Sequence, residues 1–258
     1  MAAGKKQRLD GLLVGRGLAQ HLDQAQRLIG AGSVLVNETI CDKVGAQVSE
    51  TANVRLKTSR KYVSRGGEKL ESALQGLSLL PTDWVCADIG SSTGGFTDCL
   101  LQHGALQVYC VDVGYGLLDW KLRQDERVVV LERTNARYLN REQIPVAIDL
   151  AVIDASFISL EPLLPPLLPL FAGKPVRIIA LVKPQFQLPR SLVAKGGVIM
   201  DQALHQQALA MVQQFSEELG LICERVVPSG VRGTKGNQEF FMLLTADSVS
   251  AKDGAEIS

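Results

Sequence analysis

Paired cysteines are missing from this chain. The five it has, Cys41, Cys86, Cys99, Cys110 and Cys223, are odd in number and dispersed, and four sit within apolar runs. No disulfide framework or paired-cysteine zinc site is visible, so no metal is expected and a reducing, cytoplasmic setting is. Long apolar runs are missing too. The greasiest tract, residues 160–171, is broken by Pro162, Pro165, Pro166 and Pro169, well short of the roughly 20 apolar residues that span a bilayer. The basic N-terminus is not followed by an apolar segment or a small-residue cleavage site, so neither a secretory leader nor a membrane partner is expected. Net charge is absent as well, with 27 basic residues against 27 acidic ones.

The charges are unevenly placed. Residues 1–69 hold twelve Lys and Arg against six Asp and Glu, and the remainder carries the opposite surplus. A basic module that brings an anionic partner to an acidic one fits this asymmetry. With 258 residues, 46% apolar and 21% charged, the chain falls in the range of soluble globular proteins of about two domains.

The pattern changes along the chain. Residues 8–18 place leucines near helical spacing, Asp23 is expected to cap a second helix, and residues 34–36, 39–40 and 54–56 read as short strands. Residues 57–67 are polar, basic and end in glycine. Beyond them a helix is expected over 69–79. Strands follow at 84–89, 108–113, 128–131, 148–153, 177–182, 222–227 and 239–244, with helices at 96–103, 117–123, 161–171 and 201–219. Apolar strands separated by helices predict an α/β fold with a doubly wound, mostly parallel sheet of seven strands, its last pair an antiparallel hairpin. Such a Rossmann-like frame is familiar for methyl transfer, but a frame assigns no chemistry.

The strongest local signal is Asp88-Ile89-Gly90-Ser91-Ser92-Thr93-Gly94-Gly95-Phe96, which leaves the first strand of that sheet and opens a helix. In open α/β sheets ligands bind beyond the carboxyl ends of strands, and a glycine turn lets them approach the backbone. Asp112 ends the next strand, 24 positions after Asp88, near the interval at which such folds offer a carboxylate to a ribose. The glycines do not follow the dinucleotide pattern, which favours a nucleoside cofactor without phosphate, such as S-adenosylmethionine. Gly90 to Gly94 also spells a nucleophile elbow with Ser92, which Asp154 and His205 could complete as a hydrolase triad. His205, however, lies in an amphipathic helix where a solvated histidine is expected.

Four further ionisable residues stand where the backbone should open into the same cleft. Asp154 follows the fourth strand and Lys183 the fifth, Lys69 begins the helix before the first, and Glu239 opens the last. Methyl transfer to a ribose hydroxyl needs a group that hydrogen-bonds or deprotonates it, and an amine serves once a neighbouring cation or desolvation favours its neutral form. Lys183 is the candidate base, Asp154 its orienting partner, Lys69 the nearby cation and Glu239 the group that fixes Lys69 or the ribose.

With these residues named, the sequence resembles the TlyA-type, or hemolysin A, family of ribosomal RNA 2′-O-methyltransferases. Its landmarks run in order from Arg8-Leu9-Asp10 and Ala31-Gly32-Ser33-Val34-Leu35-Val36-Asn37 through Tyr62-Val63-Ser64-Arg65-Gly66-Gly67-Glu68-Lys69-Leu70, the glycine turn, and Val111-Asp112-Val113-Gly114-Tyr115-Gly116. They continue through Glu132-Arg133-Thr134-Asn135-Ala136-Arg137, Asp154-Ala155-Ser156-Phe157, Val182-Lys183-Pro184-Gln185-Phe186 and Gly236-Asn237-Gln238-Glu239-Phe240. The resemblance implies an alpha-L type α+β RNA-binding module, at residues 1–59, and an FtsJ-like class I methyltransferase domain, at 68–247; composition adds a linker at 60–67 and a disordered tail at 248–258. The resemblance also implies a catalytic tetrad of Lys69, Asp154, Lys183 and Glu239. Cofactor contacts fall on Gly90, Ser92, Gly94, Phe96, Asp112 and Asn135, to which the strand-end position adds Asp88. The implied partner is ribosomal RNA within ribosomal subunits, and the implied target is a cytidine ribose. RNA phosphates are expected to meet Arg8, Arg16, Arg27, Arg55, Lys57 and Arg65. The module departs from the family pattern at His21-Leu22-Asp23 and at Glu38, where glycine is usual. A pore-forming haemolysin and a catalytically silent RNA-binding factor are the competing classes.

Overall fold

The computed structural model describes residues 5–57, 61–233 and 235–247, and the chain separates into two units, Met1–Arg60 and Lys61–Ser258. The tail expected at 248–258 lies outside the described residues.

The small unit runs β1 (Lys6–Arg8), α1 (Leu9–Gly15), α2 (Leu22–Gly30), β2 (Val34–Val36), β3 (Thr39–Ile40), β4 (Gln47–Ser49) and β5 (Val54–Leu56). Leu9, Leu13, Ala25, Ile29 and Val34 are fully buried between the helices and the β3-β2-β5 sheet. The cap of α2 is His21, whose Nδ1 accepts from the Gln24 N–H at 3.2 Å. Asp23, expected to cap, lies instead in the first turn, where a carboxylate favours the positive helix end. The β2–β3 turn places Asn37 and Glu38 at φ 48° and 66°; both central residues of such a hairpin turn need positive φ, which is why glycine suits it. β1 and β4 pair antiparallel, Lys6 opposite Ser49; three-residue strands with alternating exposure leave no periodic signal to read.

A unit of about 60 residues is near the size at which an apolar core barely suffices, so its polar ties matter. Asp10, 1% exposed, accepts from Arg8 at 3.1 and 2.6 Å, from its neighbour Gly11 N–H at 2.8 Å and from Gln26 at 3.2 Å. Arg16 donates to the carbonyls of Ala52 at 2.8 Å and Glu50 at 2.6 Å.

The large unit begins with α3 (Arg65–Leu77), followed by β6 (Val85–Ile89), α4 (Gly95–Gln102), β7 (Gln107–Val111), α5 (Trp120–Arg123), β8 (Val128–Leu131) and β9 (Leu150–Ile153). Then come β10 (Val176–Val182), α6 (Pro184–Gln187), α7 (Gln202–Glu218), β11 (Ile222–Pro228) and β12 (Phe240–Ala246). The sheet order is β11-β12-β10-β9-β6-β7-β8, parallel except for β12. The order reverses between β6 and β9, which opens a crevice at their carboxyl ends. Each sheet face has its own core: Cys86, Val108, Val152 and Phe241 pack with α3 and α4 residues, whereas Ala87, Ile153, Ala180 and Met242 pack against α7 and the 160–171 segment.

Three expectations need correction. Residues 161–171 form two 3-10 stretches, Glu161–Leu163 and Pro165–Phe171, not an α-helix. Four prolines there remove the N–H donors that an α-helix requires. Residues 117–119 are irregular, with Asp119 capping the short α5 through the Lys121 N–H at 2.9 Å. The stretch read as linker is largely structured: Ser64 caps α3, residues 65–67 are its first turn, and the Val63 N–H donates to the buried Asp98 at 2.9 Å.

Candidate active site at the sheet switch point

The glycine turn after β6 is shaped by crowding. Gly90 has φ 82°, and a β-carbon there would lie 2.8 Å from the Asp154 carbonyl of the neighbouring β9 turn. Only a residue without a side chain allows the two turns this approach. Asp112, half-buried after β7, ties the rim together: its Oδ2 accepts from the Ser92 N–H at 2.8 Å and its Oδ1 from the Gly114 N–H at 2.7 Å. Each oxygen keeps a lone pair for a further donor. Asn135 is exposed on the adjacent loop, and its side chain caps the Arg137 N–H at 3.1 Å.

Two residues assigned to the cofactor face inward instead. Phe96 is 3% exposed and packs on Phe241, centroids 6.0 Å apart. Asp88 is fully buried; its Oδ2 accepts from the Thr97 N–H at 3.0 Å and hydroxyl at 2.7 Å, while Oδ1 has no partner. Burial raises its pKa to about 7; the Thr97 bonds oppose the shift and the Asp154 charge adds to it.

The four predicted ionisable residues form two ion pairs. Lys183 Nζ lies 2.5 Å from Asp154 Oδ1, at an angle outside hydrogen-bond geometry, and donates to Ser156 Oγ at 2.8 Å. Lys69 donates to Glu239 at 2.6 Å. Both lysines and Glu239 are buried, whereas the Asp154 side chain is 23% exposed. Lys183 and Asp154 therefore sit just past β10 and β9, next to the switch point, and Lys69 is in the second turn of α3 rather than at its start.

Two aromatic residues complete the picture. Phe157 is 90% exposed with φ 66°, a conformation that a bulky side chain adopts only when held there. Its ring lies 5.3 Å from that of Phe186, whose centroid is 6.0 Å from Lys183 Nζ. The signal was available in sequence, since each phenylalanine follows its ionisable residue, Asp154 or Lys183, by three positions.

The hydrolase triad is not assembled. His205 is buried, not solvated: Nε2 lies 3.1 Å from the Ile199 carbonyl and the ring meets Phe240 edge-on at 5.5 Å. Asp154 pairs with Lys183 instead. Among the described residues there is no group of three potential metal ligands and no helix long and apolar enough to cross a membrane.

Of the expected phosphate contacts, Arg8 pairs with Asp10, Arg55 with Glu38 at 2.5 Å, and Arg16 holds two carbonyls. Arg27, Lys57 and Arg65 have no carboxylate partner among the described residues.

Residues 62–246 match the FtsJ-like methyltransferase family. The chain belongs to that family. It is of the TlyA, or hemolysin A, type, and so a methyltransferase. It is 44% identical over 253 residues to the 16S/23S rRNA (cytidine-2′-O)-methyltransferase TlyA of Mycobacterium tuberculosis, covering 96% of this chain and 94% of that protein. It is 38% identical over 234 residues to Hemolysin A of Brachyspira hyodysenteriae, covering 90% and 97%. A solved structure from Streptococcus thermophilus, named provisionally as a hemolysin, is 39% identical with TM-score 0.69 over 95% of this chain and 90% of that one.

Proposed function

We propose that this FtsJ-like enzyme transfers a methyl group from S-adenosylmethionine to a ribose 2′-hydroxyl of ribosomal RNA, a cytidine ribose within ribosomal subunits. The observation that carries this reading is the Lys183 amine, buried yet held at the crevice by Asp154 and Ser156, beside the exposed Phe157 and Phe186. The relatives' substrates and the near-complete mutual coverage support it.

The donor set fits the cofactor. Asp112 offers carboxylate lone pairs to a ribose diol, Val113 next to it exposes apolar surface to a purine, Asn135 adds an exposed amide, and the turn through Gly90, Ser92 and Gly94 presents backbone to the crevice. When bound, S-adenosylmethionine supplies a methyl already activated by a sulfonium. The chain's task is then to place the accepting oxygen in line and manage its proton, so positioning supplies most of the rate. In its neutral form Lys183 accepts the proton that the hydroxyl releases as its oxygen takes the methyl, and Asp154 and Ser156 receive the ammonium so formed. Glu239 fixes Lys69 in the same wall. Phe157 offers a face on which an unpaired base can stack, a contact typically contributing about 1–3 kcal/mol. Of the residues expected to meet phosphates, Arg27 and Lys57 in the small unit and Arg65 in the large unit are the ones without a carboxylate partner among the described residues. Asp88 shapes the base of the turn without touching a ligand.

The test is transfer of tritium from methyl-labelled S-adenosylmethionine to ribosomal subunits, with 2′-O-methyl positions mapped with and without the protein. Label confined to cytidine 2′-hydroxyls of ribosomal RNA is expected. Label on a base, or none on any ribosomal RNA, would refute the reading, and labelling of Ser92 by a serine-directed probe would revive the hydrolase.

A further inference from the structure

We propose that Asn237 is a positioning residue that ties the segment leaving Lys183 to the segment delivering Glu239, so that both ion pairs keep their place as one body. The kinetic consequence rests on the methyl-transfer reading; the tie itself does not.

Two irregular segments flank the ion pairs. One, residues 183–201, starts at Lys183 and holds only the four-residue α6 and a 3-10 turn at Arg190–Leu192 before α7. The other joins β11 to β12 and ends on Glu239. Apart from the Ser229 N–H bond to the Glu239 carbonyl at 2.8 Å, neither belongs to a ladder among the described residues. Asn237, 3% exposed, supplies the substitute: its Oδ1 accepts from the Ile199 N–H at 2.8 Å and its Nδ2 donates to the Gly197 carbonyl at 2.7 Å. One side chain thus reads an N–H and a C=O two residues apart, as a neighbouring strand would. Only a carboxamide can both accept and donate in this way. A carboxylate would set an oxygen against the Gly197 carbonyl, and a hydroxyl is too short to serve both.

The tie closes on itself. The Ile199 carbonyl accepts from His205 Nε2, which must carry the proton because a carbonyl can only accept. The His205 ring lies against Phe240, the residue after Glu239. Glu239 is therefore bracketed: Asn237 on one side and Phe240 on the other both lead to residues 199–205. Ile199 is itself buried with Leu188 and Ala208, and Lys235 adds a bond to the Gly196 carbonyl at 3.0 Å. The Asn237 carbonyl also accepts from the Gly233 N–H at 2.9 Å, and a β-carbon on Gly233 would strike Glu239 Oε1. The loop is thus moulded around the carboxylate that holds Lys69. Both amide atoms of Asn237 are engaged with protein, which makes its role one of placement.

The experiment compares Asn237→Ala and Asn237→Asp with the full-length wild type by amide hydrogen exchange and steady-state methylation. Exchange of the Ile199 amide should quicken by roughly tenfold or more as its acceptor is lost or weakened. In Asn237→Ala, kcat should fall about 10²-fold, the cost of roughly an ångström of misplacement. KM for RNA and the affinity for S-adenosylmethionine should stay within about twofold, as uniform binding is untouched. Asn237→Asp, which keeps the acceptor and loses the donor, should fall between. Unchanged exchange with unchanged kcat would overturn the proposal, as would a fall in cofactor affinity equal to the fall in kcat. Unfolding of both variants would make Asn237 a residue of the core and overturn it too. Should the wild type methylate no RNA, the functional reading fails, and the exchange comparison alone decides the tie.

Discussion

Two buried aspartates, one in each unit, come out with opposite acidities. In the small unit, the Arg8 guanidinium with Gln26 and the Gly11 N–H holds Asp10 down to about 2. Water is kept off Asp10 by its own partners rather than by depth. In the large unit, Asp88 has only Thr97 to satisfy it, keeps one oxygen bare and is pushed up to about 7 by burial. The same side chain is thus a charged tie in one place and, in the other, a buried wedge that is about half protonated at neutral pH. The small unit spends its charges on holding its fold, since Arg8, Arg16 and Arg55 are all engaged. The large unit buries Lys69, Lys183 and Glu239, with Lys183 and its partner Asp154 just past two strand ends beside the switch point.

The largest effect on that contrast belongs to Lys183. Lys183→Ala should lower kcat by about 10²–10⁴-fold, the usual range for removing a proton acceptor, while binding of S-adenosylmethionine measured by calorimetry stays nearly intact. Retained turnover would strip Lys183 of its role and leave its burial unexplained.

The next effect is one of sign. Asp88 has a folded value of about 7 against an ordinary 3.8, so between those values the folded chain holds a proton that the unfolded chain has released. Its contribution to stability is full below about pH 4 and is lost as pH rises through 7, at up to about 1.4 kcal/mol per pH unit. Asp88→Asn, neutral throughout, should abolish that slope and gain on the wild type between pH 5 and 8 in denaturant unfolding. Asp10 runs the other way: its contribution is present above 3.8 and fades as pH falls through 2. Asp10→Ala should cost about 2 kcal/mol at neutral pH without changing cofactor affinity. Parallel pH slopes for the two aspartates would dissolve the comparison.

How much of this could be read from sequence follows the same division. The seven-stranded sheet was legible because short apolar runs bounded by turns have few other uses, and the positions of Asp154 and Lys183 just past β9 and β10 were legible because each apolar run ends immediately before them. Periodicity misled over residues 161–171, where apolar spacing suits an α-helix but the prolines deny it donors. Burial was the other blind spot. His205 looks like a surface residue until its Nε2–H is seen to donate to the buried Ile199 carbonyl, and Asp88 looks like a ligand contact until the α4 terminus covers it. In the small unit, basic residues were legible as charge but not as structure, because nothing in the sequence says that Arg16 reaches across to Glu50 and Ala52.

That last point yields the smallest and most discriminating prediction. Arg16 and Arg27 carry the same charge in the same unit, yet only Arg16 has carbonyls to hold, and Arg27 lies in the last turn of α2 with no carboxylate partner among the described residues. Arg16→Ala should therefore cost about 1 kcal/mol of stability, the net of its hydrogen bonds. Arg27→Ala should leave the melting temperature unchanged, apart from a small loss of favourable charge at the helix end. In RNA binding the order should reverse. Arg27→Ala should weaken affinity about equally for all RNA sequences and reduce the salt slope by about 1, as the loss of one phosphate contact does. Arg16→Ala should keep the slope once it is measured below its melting transition. Equal salt slopes in the two variants would mean that Arg16 meets RNA despite its carbonyls, and the small unit would no longer be one that keeps its engaged arginines for itself.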